Sequence, residues 1–131
     1  MSIKRFEDVE AWRRAREMTR MVYRITSREQ FYKDYRLRDQ IRDASASVMS
    51  NIAEGFDSYS RAEFARFLTI ARRSVSEVQS HMYVALDQEY VEQDDFDRIY
   101  HETEVIRKII SGFIKYLRNG KVYSKKELRV S

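Results

Sequence analysis

The chain has no cysteine, no proline and only three glycines in 131 residues. Without cysteine there is no disulfide framework, no zinc–thiolate site and no thiol nucleophile. The shortage of proline and glycine argues against turn-rich all-β folds, proline-rich linkers and low-complexity segments. No apolar run approaches the roughly 20 residues of a membrane span. The first eight residues, MSIKRFED, carry no apolar stretch of the kind a secretory signal needs. These absences lead to the expectation of a single cytoplasmic, helical domain that meets no membrane.

Four helical segments can be read from apolar spacing. In residues 8–26, Val9, Trp12, Ala15, Met18, Val22 and Ile25 recur three or four apart, one face of a helix. Residues 27–35 are polar, and Ser27 followed by Gln30 has the form of a capping box that could open a short turn. Residues 36–56 carry the stripe Leu37, Ile41, Ala44, Val48 and Ile52, and Gly55 suits the left-handed position that stops a helix. Ser60 and Glu63 form a second capping box ahead of residues 61–88, whose stripe includes Phe64, Leu68, Ala71, Val75, Val78 and Met82. Asp94, Asp95 and Asp97 place acids at the positive end of a fourth helix over residues 94–119. Residues 121–131 form a basic tail without a pattern. Four long helices joined by short links predict an all-α, antiparallel, up-down-up-down four-helix bundle over residues 1–120.

The net charge of +4 hides an asymmetry. Residues 1–73 carry +5, residues 74–114 carry −6 and residues 115–131 carry +5. In the expected topology, one end collects Lys4, Arg5, Arg61, Lys115, Arg118, Lys121, Lys125, Lys126 and Arg129. The other takes Asp87, Glu89, Glu92, Asp94, Asp95 and Asp97. Of the 25 basic side chains 18 are arginine, which suits forked contacts with phosphate or carboxylate. Arg61, Arg72 and Arg73 would meet a phosphate backbone, the tail would add an arm, and Tyr59 and Tyr123 offer stacking faces. The plainer reading makes the charged termini solubility devices.

Catalytic and metal chemistry find little support. His81 follows Glu77, and His101 follows Asp97, by four residues, whereas the di-metal bundles use Glu-x-x-His. There is no glycine-rich phosphate loop, His-Glu-x-x-His or Gly-x-Ser-x-Gly. The serines between Ser45 and Ser80 have no histidine placed to act as their base. No catalytic residue, metal or cofactor is expected. The segment Ser50-Asn51-Ile52-Ala53-Glu54-Gly55 stands out instead. Asn51 is a poor mid-helix residue whose amide can bond across helices or to a loop. Glu54 lies at the negative end of its helix and needs a compensating partner.

The blocks Phe6-Glu7-Asp8-Val9-Glu10-Ala11-Trp12, Leu37 to Ala44 followed by Ser47-Val48 and Asn51 to Gly55, and Phe67 to Ser74 followed by Glu77 resemble a known family. They are similar to the bacterial four-helix-bundle proteins met in intervening sequences of 23S rRNA genes. The superfamily also includes the accessory variability determinant proteins of diversity-generating retroelements. The resemblance implies a left-handed antiparallel four-helix bundle, assembly as a ring-like homopentamer, and nucleic-acid association without catalysis, beside a reverse transcriptase in the retroelement branch. It carries over Gln40, Arg42, Ser47, Asn51, Glu54, Gly55, Ser74 and Glu77 as signature positions with a structural or subunit-facing role. Two departures stand out. The linker after the first helix lacks the family's frequent proline, and Arg73 stands where a glycine is frequent.

The expected function is therefore that of a non-catalytic oligomeric accessory protein that binds RNA or DNA, with a reverse transcriptase as a possible partner. The alternative is a structural or adaptor oligomer that binds no nucleic acid.

Overall fold

The computed structural model describes residues 4–119, and the basic tail lies outside them. Among the described residues there are helices and no strands. A 3-10 turn, Phe6–Asp8, leads into α1 (Glu10–Thr26), α2 (Glu29–Lys33), α3 (Tyr35–Asp57), α4 (Arg61–Asp87) and α5 (Gln93–Arg118). The four long helices fall where the apolar spacing puts them, and α2 makes a fifth.

The short helix exists because Phe31 is fully buried and stacks on Tyr90, ring centroids 5.2 Å apart. The capping box expected at Ser27 does not form. Arg28 is the N-cap, and the Ser27 hydroxyl donates back to Tyr23 O at 2.8 Å. The cap that opens α3 is Asp34, which accepts from Leu37 N at 3.1 Å while its other oxygen takes the Tyr90 hydroxyl at 3.0 Å. At α4, Ser60 does accept from Glu63 N, at 3.0 Å, but the Glu63 carboxylate turns to Arg66 instead of closing the box.

Gly55 corrects another expectation. It lies inside α3, which runs two residues further, and it is buried rather than left-handed. A Cβ there would stand 2.8 Å from Phe64 Cδ1 and 3.0 Å from Phe67 Cβ. The glycine lets α3 and α4 touch backbone to ring. The left-handed stop occurs after α4, at Glu89 (φ 61°), where Tyr90 N reaches back to Ala85 O at 2.9 Å. That bond is the Schellman closure.

α3 packs on α4, α4 on α5, α5 on α1 and α1 on α3. One core fills the space between them, with Met18, Ile41, Ile52, Leu68, Met82, Ile99, Ile106 and Ile110 among its fully buried side chains. Polar contacts between the helices have a consistent register. Thr26 and Thr19 meet Arg42 and Ser45 O, Ser47 meets Ser74, and Ser76 and Gln79 meet Arg107 and Thr103. Arg28 and Arg14 meet Asp95 and Glu102.

The Arg28–Asp95 pair ties the end of α1 to the start of α5, with bonds of 2.7 and 3.1 Å. Asp95 also accepts from Glu92 N at 3.1 Å. The hydrogen bond from Arg28, helped by the Glu92 N–H, outweighs burial and holds the Asp95 carboxyl below the usual aspartate range. Its folded pKa is therefore lower than its unfolded one. Asp95 adds stability that is full above the ordinary aspartate pKa and is lost as pH falls through the folded value. Asp95→Asn is expected to cost about 1 kcal/mol at neutral pH. The variant and the parent should converge in melting temperature in strong acid, which a pH series of thermal melts would show.

Candidate nucleic-acid interface

α4 begins beside the end of α5 because Arg61 Nη2 donates to Leu117 O at 3.0 Å. This contact walls one side of an open groove of about 770 Å³. Arg61, Arg66, Arg73 and Arg118 surround it, over a floor of Ala62, Ala65, Thr69 and Ile70. Among the described residues, no carboxylate lines it. The positions 62, 66, 69 and 73 share one face of a 3.6-residue helix, so the cations converge although the sequence spreads them.

Arg73 and Arg118 are exposed in this groove. Arg66 is engaged: it forks onto Glu63 at 3.0 and 3.2 Å and lies over the Phe67 ring, 4.5 Å from its centroid. Glu63, and more weakly Glu54, raise the affinity of this guanidinium for its proton. Arg66 is not among the expected site residues, although it lies on the same face of α4 as Arg73; only Arg118 joins them through the packing of α5 on α4.

The expected Arg72–Arg73 pair is divided. Successive helical side chains point about 100° apart. Arg73 lines the groove, while Arg72 is half-buried and donates to Ser111 Oγ of α5 at 3.3 Å. Lys115 is exposed near the end of α5 but does not line the groove, and Tyr59 is fully exposed in the α3–α4 link. Lys121, Lys125, Lys126, Arg129 and Tyr123 lie outside the described residues.

The signature positions gather elsewhere. Gln40, Ser47, Ser74 and Glu77 line a second groove between α3 and α4, about 430 Å³, together with Asp43 and His81. The Ser47 and Ser74 hydroxyls are 3.0 Å apart, and Asn51 Nδ2 donates to Ser47 O at 2.8 Å and Ser47 Oγ at 3.0 Å. Asn51 bonds one turn back on its own helix, not across to α4 or to a loop, and reaches α4 only through Ser47. Arg42 lies apart from this groove, on the α1 side of α3, donating from Nε to Thr26 Oγ1 at 2.8 Å.

The charge at the other end of the molecule is mixed. Asp95 is met by Arg28, and Arg24 and Arg98 share a small recess with them. Asp95, in the first turn of α5, therefore stands beside Arg28 and Arg24, and a purely acidic end does not form. Among the described residues, no helix is long and apolar enough to cross a membrane.

Helices packed around one core, with arginines lining an open groove and a serine–amide cluster at the α3–α4 contact, define an all-helical protein. The chain matches the model of the 23S rRNA-intervening sequence proteins over residues 7–112, and it belongs to that family. It is also similar to a solved protein of unknown function from the S23 ribosomal protein family of Bacteroides thetaiotaomicron. The two are 26% identical, superpose with a TM-score of 0.74, and the match covers 80% of this chain and 98% of that one. No curated protein sequence matches the chain.

Proposed function

We propose that this protein is a non-catalytic accessory protein that binds RNA or DNA through the arginine groove. Its four long helices make an antiparallel up-down-up-down bundle: in each packed pair, contacts advance along one helix as they retreat along the other. The bundle assembles as a homo-oligomer, a ring of five in this reading, and works in the cytoplasm beside an rRNA-linked or retroelement-encoded nucleic acid, with a reverse transcriptase as candidate partner.

The observation that carries the reading is the convergence of Arg61, Arg73 and Arg118 on one open groove that, among the described residues, no carboxylate lines. Phosphate contacts of this kind release counterions, so affinity falls steeply with salt. Binding of a labelled RNA, followed by fluorescence anisotropy over a salt series, tests it. Replacing Arg73 and Arg118 together with alanine should weaken binding about ten-fold and reduce the salt slope by about 1.5. Unchanged affinity and slope would reject the groove. Absence of any RNA or DNA binding would leave the structural adaptor. Sedimentation should give five times the 15.8 kDa chain mass for a pentamer.

A further inference from the structure

At the end of the molecule remote from the arginine groove, five side chains alternate between aromatic and cationic. The Arg38 guanidinium carbon lies 5.0 Å from the Tyr35 ring centroid and 4.3 Å from that of Tyr32. The Arg42 carbon lies 5.8 Å from the Tyr32 centroid and 4.5 Å from that of Tyr23. The order is Tyr35, Arg38, Tyr32, Arg42, Tyr23, drawn from α1, α2 and α3.

Both guanidiniums are pinned by their N–H groups. Arg38 bonds Asp39 at 2.9 Å and Tyr32 O at 3.3 Å, and Arg42 bonds Thr26 Oγ1 at 2.8 Å and Ser27 Oγ at 3.4 Å. The guanidiniums that lie over the rings are thus held before any ligand arrives, which lowers the ordering cost of binding. The rings remain open to solvent nonetheless: Tyr35 is 63% exposed, Tyr32 46% and Tyr23 44%. Docking α2 does not require that exposure, since buried Phe31 and its stack on Tyr90 already anchor the helix.

We infer that Tyr23, Tyr32 and Tyr35, spaced by Arg38 and Arg42, form a stacking platform for the unpaired bases of a single-stranded nucleic acid. Two features select this occupant. The surface offers planar groups, the tyrosine rings and the guanidiniums that lie over them, and no exposed large aliphatic side chain, whereas the core of a protein interface is built on apolar anchors. Residues 20–42 also hold seven cations against three acids, of which Arg20 is paired with Glu17, Arg28 with Asp95 and Lys33 with Glu29. Asp39 neutralises part of Arg38, but Arg36 is exposed and forms no ion pair among the described residues, so it remains for phosphate. Base–aromatic stacking with a cationic surround tolerates any sequence and requires unpaired bases.

This inference rests on the nucleic-acid reading above and adds that one surface prefers single strands. The test uses a labelled 12-nucleotide RNA of mixed sequence and its blunt duplex, measured by anisotropy against the full chain. The parent is expected to bind the single strand at least about ten-fold tighter than the duplex. Tyr32→Leu with Tyr35→Leu should weaken the single strand about ten-fold, with duplex affinity and salt slope unchanged, while the paired Tyr→Phe substitutions restore binding. Circular dichroism melts confirm that each variant is folded. Equal loss on both RNAs, or no loss on either, overturns the platform; the groove still stands if Arg73→Ala with Arg118→Ala weakens both RNAs. Displacement of the RNA by polyglutamate of equal charge would also overturn it, because charge alone would then explain the surface. A parent protein that binds neither RNA defeats both readings.

Discussion

Replacing Gly55 with leucine is expected to cost more than about 3 kcal/mol, and even alanine should cost about 1–2 kcal/mol. The first atom added at this position already falls 2.8 Å from Phe64 Cδ1 and 3.0 Å from Phe67 Cβ. Neither neighbour is the loose end of a flexible side chain. Phe64 is buried and its ring packs against Phe113, centroids 5.2 Å apart, while the Phe67 atom is fixed to the α4 backbone. The added carbon therefore has to push α3 away from α4, opening the packing around Phe56 and Leu68.

Helix propensity works the other way, since alanine is about 0.8–1 kcal/mol better than glycine inside a helix. The steric term must exceed that gain for the sign to be destabilising. Gly112 provides the control within the same molecule. It lies inside α5, it is exposed, and a Cβ there meets nothing within 4 Å. Gly112→Ala should therefore stabilise by about 0.8 kcal/mol, while Gly55→Ala destabilises. With about 4 °C of melting temperature per kcal/mol for a chain of this size, thermal melts resolve both. A stabilising Gly55→Ala would mean that α3 and α4 do not approach as closely as described.

The glycine also explains which parts of the fold were legible. A period of three and four identifies the buried stripes of α1, α3, α4 and α5, because a helix in contact with a core must repeat that way. Helix ends were harder to read. Gly55 looked like a stop because glycine serves equally for a left-handed residue and for a close helix approach, and the choice depends on Phe64 and Phe67, partners in the next helix. The actual left-handed stop uses Glu89, a residue with no such signature. Ser27 misled for a related reason: its hydroxyl can cap the next helix or bond back to the previous one, and it does the latter.

The candidate site shows the same boundary between local and non-local information. Arg72 and Arg73 are adjacent in sequence but serve different surfaces, while Arg73 joins Arg118 from another helix. The tyrosine–arginine series was invisible because Tyr23 and Arg42 become neighbours only when α1 packs on α3. In the sequence Arg42 is only a signature position, and its contacts supply the physical reason for its place.

Those contacts lead to a second large effect, at a residue that no ligand can reach. Thr26 is fully buried. Its hydroxyl donates to Val22 O at 2.7 Å and accepts from Arg42 Nε at 2.8 Å. Valine matches the shape of threonine but offers no acceptor. Thr26→Val should therefore leave a half-buried guanidinium short of a bond and cost about 2 kcal/mol. Arg42→Met removes the same bond together with the stacking on Tyr23. In the double variant no unpaired donor remains, so the combined loss should fall short of the sum by about 1 kcal/mol or more. Strict additivity in denaturant melts would mean that the two side chains do not interact. The single Thr26→Val variant also releases Arg42 to rotate away from the rings of Tyr23 and Tyr32. Its affinity for single-stranded RNA should fall while its duplex affinity holds, the same pattern as the tyrosine variants. A buried methyl in place of a hydroxyl would then act on binding only through the order it removes from the surface above it.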